Sequence, residues 1–301
     1  MTARSRKHSR PQPHRPRTAG REAVRRSPDT VDGNHPAHRS AADKLFRRKR
    51  AQSNSHPTTH RTPADASTRS KRGADKLFRR KQPLVRDFNF GRQTAAVFDD
   101  MLARSVPFYA EVQRMMGEVA ADFAQEDTAI YDLGCSTGQT FQALDPIIPK
   151  HVRFVGVDNS HDMLAKAKHT MKQQRIEREI DWAYADLNGA LEISDASVVI
   201  MNLTLQFVRP LNRQKLIATV FRGLRPNGCL IVVEKVLSRY SMLNRLFIKY
   251  YYGFKERNGY SKMEISQKRE ALENVLIPYR VEENLELLTD AGFKECEVFF
   301  K

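Results

Sequence analysis

Cysteine is scarce in this chain. Cys135, Cys229 and Cys296 are its three, far apart and in no metal-ligand spacing. That excludes a disulfide scaffold and a cysteine-built zinc site, so no metal is expected, and it fits a reducing, cytoplasmic compartment. No apolar run approaches the roughly 20 residues that cross a membrane. The N-terminus lacks the apolar stretch of a secretory signal. Acidic residues are thin only at the front. Residues 1–81 hold 23 of the 51 Lys+Arg and 6 of the 35 Asp+Glu, and so carry the whole net charge of +16.

The same segment holds seven of the 14 prolines and six of the nine histidines, with few large apolar residues. Such a stretch buries too little apolar surface to offset its chain entropy. We read residues 1–73 as a disordered basic tail and 74–301 as the folded domain. Because 82–301 is near neutral, direct tRNA binding is not expected of the folded part. Ala42-Asp-Lys-Leu-Phe-Arg-Arg-Lys49 recurs, identical, as Ala74-Asp-Lys-Leu-Phe-Arg-Arg-Lys81. A repeated basic motif is one account; a plain local duplication, or a start codon placed too far upstream, is the other. The second account is favoured, with the second copy leading into the fold.

Beyond residue 82, short apolar runs alternate with helical periodicity. Strands are expected at 128–132, 154–158, 180–184, 196–201 and 229–233, with helices at 138–144, 163–171 and 211–224 between them. A turn closes the last of these helices at 225–228. This order implies βαβ units and a doubly wound, mainly parallel α/β sheet. Helix is expected over 95–121, interrupted at Pro107. A helical insertion follows at about 240–280 with helices at 242–252 and 263–276, then a helix at 282–291 and a final strand at 297–300.

The turn after the first strand reads Asp132-Leu-Gly134-Cys-Ser136-Thr-Gly138. In a doubly wound sheet the ligand lies at the carboxyl ends of the strands, where glycines admit close backbone approach. The spacing differs from the dinucleotide fingerprint, which needs room for a pyrophosphate. Asp158, 20 residues after Gly138, falls where an acidic residue takes ribose hydroxyls. Asp186, expected at the end of the third strand, suits an adenine amino group. Three successive strands ending in Asp suggest adenosine without phosphate, although a strand-end Asp can simply cap a helix. Arg269 sits on an apolar stripe with Ile265, Leu272 and Leu276, where a guanidinium needs a partner. An internal ion pair and a bound carboxylate are both open to it.

Together these residues resemble the carboxy-S-adenosyl-L-methionine synthases, formerly described as tRNA wobble-uridine methyltransferases, of the class I methyltransferase superfamily. The likeness runs from about Asp75 onward. It lies in Asp87-Phe-Asn-Phe90, Arg104-Ser-Val-Pro107, Tyr131-Asp-Leu-Gly-Cys-Ser136, Val157-Asp-Asn-Ser160, Asn202-Leu-Thr-Leu-Gln-Phe207, Asn258-Gly-Tyr260, Ser266-Gln-Lys-Arg269 and Leu272-Glu-Asn-Val275. The resemblance implies conversion of S-adenosyl-L-methionine and prephenate to carboxy-S-adenosyl-L-methionine and phenylpyruvate, without a metal. It implies that the product feeds a carboxymethyl-transferring tRNA enzyme, and that the protein is a homodimer. Tyr109, Gly134, Cys135, Ser136, Asp158, Asn159, Asp186, Leu187 and Asn202 would contact the nucleoside, and Arg269 would hold the new carboxylate. Two departures stand out. The tail has no counterpart, and the sequence stops at Phe299-Phe300-Lys301 where relatives run through one more strand, so an unpaired sheet edge is expected. A conventional RNA methyltransferase and an inactive RNA-binding relative are the competing readings; Arg269 separates the first from the synthase, and salt-dependent RNA binding that survives deletion of 82–301 would mark the second.

Overall fold

The computed structural model describes residues 74–301. The expected disorder of 1–73 and the first octapeptide copy lie outside them. Two helices open the domain, α1 (Arg92–Ser105) and α2 (Tyr109–Phe123). They part at Pro107, as expected. Val106 is held extended ahead of the proline, and Phe108 takes a left-handed φ of 54°.

Five parallel strands follow. They are β1 (Ala129–Leu133), β2 (Arg153–Asp158), β3 (Ile180–Tyr184), β4 (Ala196–Asn202) and β5 (Leu224–Val233), in the order β3-β2-β1-β4-β5. The crossover helices are α3 (Gln139–Leu144) after β1, α4 (His161–Gln173) after β2 and α5 (Pro210–Gly223) after β4. Because side chains alternate along a strand, each central strand feeds two cores. Ile130, Phe154, Val198 and Ile200 pack beneath α2, α3 and α4 with Met116, Phe141 and Leu164. Tyr131, Val155, Val199 and Met201 face the other way, onto Leu216, Ile217 and Val220 of α5. That explains why β1 and most of β4 read as unbroken apolar runs.

Beyond β5 lie α6 (Ser241–Arg257), α7 (Lys262–Leu272) and α8 (Val281–Asp290). Three local expectations need correction. The 225–228 turn lies inside β5, as an irregularity that shifts its register against β4 between Ala196 and Val198. The helix expected to 276 stops at Leu272, where the 3-residue bond from Val275 N to Leu272 O tightens the end. Residues 297–300 form no strand, since no ladder partner meets them and Val298, Phe299 and Phe300 stay about half exposed. Among the described residues β5 is paired on one side only.

The second octapeptide copy is built into the fold. Asp75 is 4% exposed, and its backbone N–H donates to Asp100 Oδ2 at 2.8 Å. Its carboxylate accepts from the Tyr260 hydroxyl at 2.6 Å. Arg104 donates to the Asp75 carbonyl at 2.8 Å while pairing with Asp100 at 2.7 Å.

Candidate active site

The strand order reverses between β1 and β4, and a cavity of about 810 Å³ opens there at the carboxyl ends. Tyr109, Gly134, Cys135, Ser136, Asp158, Asn159, Asp186, Leu187, Asn202 and Arg269 all line it.

The turn after β1 forms one wall. Gly134 has φ +80°, and a Cβ there would come within 2.6 Å of the Thr204 side chain, so both backbone and space demand glycine. Ser136, in the middle position, takes a left-handed φ of 47°. Its N–H donates to Asp158 Oδ2 at 2.9 Å, and Ser160 N donates to Oδ1 at 2.9 Å. Asp158 therefore ties the turn to the start of α4. Burial raises its carboxyl above the usual range, and the backbone donors pull against that rise. Thr137 braces the turn from α1, donating to Asp99 Oδ1 at 2.6 Å. Cys135 is buried, and burial pushes its thiol well up, so it stays protonated.

Asp132 sits one residue inside β1, under the turn. It is 1% exposed, and burial pushes it up to about 7, to which the charge of Asp158 adds. Asp186 does not end β3. It lies two residues past Tyr184, exposed to the cavity, and its Oδ1 accepts from Asn188 N and Nδ2 at 2.9 Å. The ends of β1, β2 and the loop after β3 thus present carboxyl groups in or beneath one crevice.

Across the cavity, Asn202 Nδ2 donates to the Tyr109 hydroxyl at 3.4 Å, and Gln113 Nε2 donates to the same oxygen at 2.9 Å. The amide oxygens Asn202 Oδ1 and Gln113 Oε1 are buried with no hydrogen-bond partner among the described residues. Both await a donor. Phe90 covers the crevice from the front, edge-on to Phe207 at 5.1 Å, and its carbonyl accepts from Ser160 Oγ at 2.6 Å.

Arg269 corrects the sequence expectation. The buried face of α7 carries Glu264, Ile265, Gln267, Lys268 and Ala271, while Arg269 is exposed on the cavity side. The apolar stripe of Leu272 and Leu276 lines the cavity too, so it faces ligand space and not packed core. Arg269 makes no hydrogen bond or ion pair with any described residue. It reaches the cavity with its charge free.

Two features escaped the sequence reading. Glu234, just after β5, caps the 3-10 turn Leu205–Phe207, accepting from Leu205 N at 2.8 Å and Gln206 N at 2.9 Å. Burial pushes it up to about 8. Lys255 and Lys268, both buried, also line the cavity. For Lys255 the signal was its place on the α6 stripe that carries Ile248 and Tyr251, at i−7 and i−4, and Lys268 had none.

Fold and crevice together define an S-adenosylmethionine-binding enzyme of the methyltransferase fold. The family described as Methyltransferase domain matches residues 130–228. The carboxy-S-adenosyl-L-methionine synthase of Methylococcus capsulatus is 54% identical over 228 residues, covering 75% of this chain and 94% of the relative. Those of Nautilia profundicola and Helicobacter pylori are 40% and 41% identical over 230 and 231 residues, each covering 75% of this chain and 94% of the relative. The chain belongs to the carboxy-S-adenosyl-L-methionine synthase family.

Proposed function

We propose that the chain binds S-adenosyl-L-methionine on the β1 turn and carboxylates its sulfonium methyl group with carbon dioxide taken from prephenate. The observation that carries this reading is a single cavity with two unlike ends. One has the glycine turn and Asp158. The other has Arg269, a guanidinium without a protein anion. Asp158 suits the ribose hydroxyls, Asp186 and Leu187 the adenine, and Asn159 the edge between them. The unpartnered oxygen of Asn202, on the cavity wall beside Tyr109, suits the polarised hydrogens next to a sulfonium.

The chemistry balances without a protein base. Prephenate loses carbon dioxide and hydroxide as its ring becomes aromatic, leaving phenylpyruvate. The hydroxide takes a proton from the sulfonium methyl and leaves as water. The ylide carbon then bonds to carbon dioxide, and the new carboxylate pairs with Arg269. The protein's part is to hold both reactants together and keep bulk water out. The aromatic cover of Phe88, Phe90 and Phe207 suits that task.

By the same reading the product supplies a carboxymethyl-transferring tRNA enzyme that makes 5-oxyacetyluridine at the wobble position, and the protein works in the cytoplasm as a homodimer. Met242, Phe247 and Tyr250 of α6 stand 53–61% exposed, an apolar surface that suits a second copy.

Arg269→Ala tests the reading. Affinity for the carboxylated nucleoside should drop by about 1.5–3 kcal/mol, the range for hydrogen bonds to a charged group, while S-adenosylmethionine binds as before. Arg269→Lys should recover part of the loss, keeping the charge without the planar fork. Equal losses for both ligands by calorimetry would retire the carboxylate role.

A further inference from the structure

Lys255 has a place in the cavity that the fold itself does not explain. It is 6% exposed, near the end of α6. Among the described residues no carboxylate lies within ion-pair distance of its ammonium. The Nζ instead stands 5.0 Å from the centroid of the Tyr251 ring and 5.8 Å from that of Tyr260. Lys268 of α7 is 5% exposed, and its Nζ lies 3.6 Å from Asp75 Oδ2. That same oxygen already accepts the Tyr260 hydroxyl. Lys235, after β5, opens onto the cavity as well, and its charge and that of Lys268 both repel the charge on Lys255. Of these three ammonium groups, only Lys268 lies within ion-pair distance of a carboxylate among the described residues. Burial and the two neighbouring lysines bring Lys255 down to about 7.

An unpaired buried cation is costly, and an apolar residue of the same length would fit the ligand-free protein better. What offsets the cost is an anion that arrives with a ligand. The nucleoside end of the cavity lies at the β1 turn, the end that under the reading above also takes the methionine α-carboxylate of S-adenosylmethionine, and Arg269 accounts for the carboxylate that the nucleoside gains. The anions left to place belong to the second substrate, which has two carboxylates, one expelled and one kept. A lysine paired with the departing group would stabilise its charge in the ground state and lose that pairing as neutral carbon dioxide forms, raising the barrier. The kept group carries no such penalty.

We propose that Lys255, flanked by Lys268 and Lys235, binds the carboxylate that the second substrate retains in the product. The proposal rests on the carboxyl-transfer reading above. It makes Lys255 a binding residue for the second substrate, separate from the nucleoside contacts.

The test is Lys255→Met, with phenylpyruvate as the calorimetric probe and prephenate as the kinetic one. Phenylpyruvate affinity should fall by about 30-fold or more, as when one partner of a buried pair is truncated. The KM for prephenate should rise in parallel, and S-adenosylmethionine affinity should stay within about twofold. The melting temperature of the ligand-free variant should hold or rise, because the lysine serves the ligand and not the fold. Unchanged phenylpyruvate binding overturns the proposal, and so does an equal loss for phenylpyruvate and S-adenosylmethionine. So does a fall in melting temperature together with a loss of all binding. Failure of the unaltered enzyme to carboxylate S-adenosylmethionine would instead sink the reaction assigned above, and the phenylpyruvate titration would still decide the role of Lys255.

Discussion

The two ends of the cavity differ in how completely the protein satisfies itself. At the β1 turn, the Asp158 carboxylate takes two backbone N–H groups, the turn is braced by Thr137 on Asp99, and Gly134 fits against Thr204. The turn at that end is braced before any ligand arrives, and its open groups are neutral or buried oxygens, Asn202 Oδ1 and those of Asp132, with no free cation among them. At the α6–α7 end, neither Arg269 nor Lys255 has an anionic partner among the described residues, and Lys268 shares Asp75 with Tyr260. The comparison teaches that the nucleoside grip is a property of strand ends, available to any methyltransferase fold. The chemistry particular to this family resides in charges that the fold leaves open.

The sharpest way to break this comparison is to remove Asp75, the carboxylate paired with Lys268 at the open end. Deleting residues 1–81 takes away Asp75 and strands Lys268 and the Tyr260 hydroxyl. The domain should lose about 3–5 kcal/mol by urea unfolding, the cost of breaking a buried ion pair. Deleting only 1–73 should leave both stability and S-adenosylmethionine affinity nearly unchanged. Equal behaviour of the two deletions would show that Asp75 does not matter to the open end.

At the nucleoside end, Asp158→Ala should weaken S-adenosylmethionine and its carboxylated product alike, by about 1.5–3 kcal/mol. The symmetry is the point, in contrast to the one-sided loss expected of Arg269→Ala. A preferential loss for one ligand would mean that the two ends are coupled.

The smallest effect is a slope with pH. Lys255, facing Lys268, Lys235 and Asp75 and lying against the Tyr251 and Tyr260 rings, titrates near 7 in the fold and near the ordinary lysine value of 10.5 when unfolded. Lys268, lowered to about 8, acts with the same sign. Between these values the unfolded chain holds the proton that the folded one has shed, so stability rises with pH. Below 7 both states are protonated, and the penalty is complete. Lys255→Met should remove about 1 kcal/mol of that rise between pH 7 and pH 8. Unfolding curves at the two values check it, and an unaltered slope would mean that the ammonium is not held down.

Much of the nucleoside end was legible in the sequence, because burial on both faces of a parallel sheet writes itself as apolar runs and the turn must contain its glycines. Gly134 and Asp158 follow from strand ends, and Asn202 from the family resemblance. The open end was only half legible. Arg269 stood out on an apolar stripe, but that stripe faces the cavity, so the guanidinium is free and not buried. Lys268, its neighbour, is the buried one, and nothing in Ser266-Gln-Lys-Arg269 distinguishes the two without knowing how α7 is rotated. Lys255 looks like a solvated charge in the basic run that ends α6, until the Tyr260 side chain closes over it. Residues 297–300 show the reverse failure, since β-like composition makes no strand without a ladder to join.

The most direct test of carboxyl transfer is mass spectrometry of the nucleoside recovered after the enzyme is incubated with S-adenosylmethionine and prephenate. The account predicts a product with the mass of S-adenosylmethionine plus carbon dioxide, formed together with an equal amount of phenylpyruvate. Recovery of unaltered S-adenosylmethionine, or of S-adenosylhomocysteine alongside methylated RNA when RNA is supplied, would contradict it.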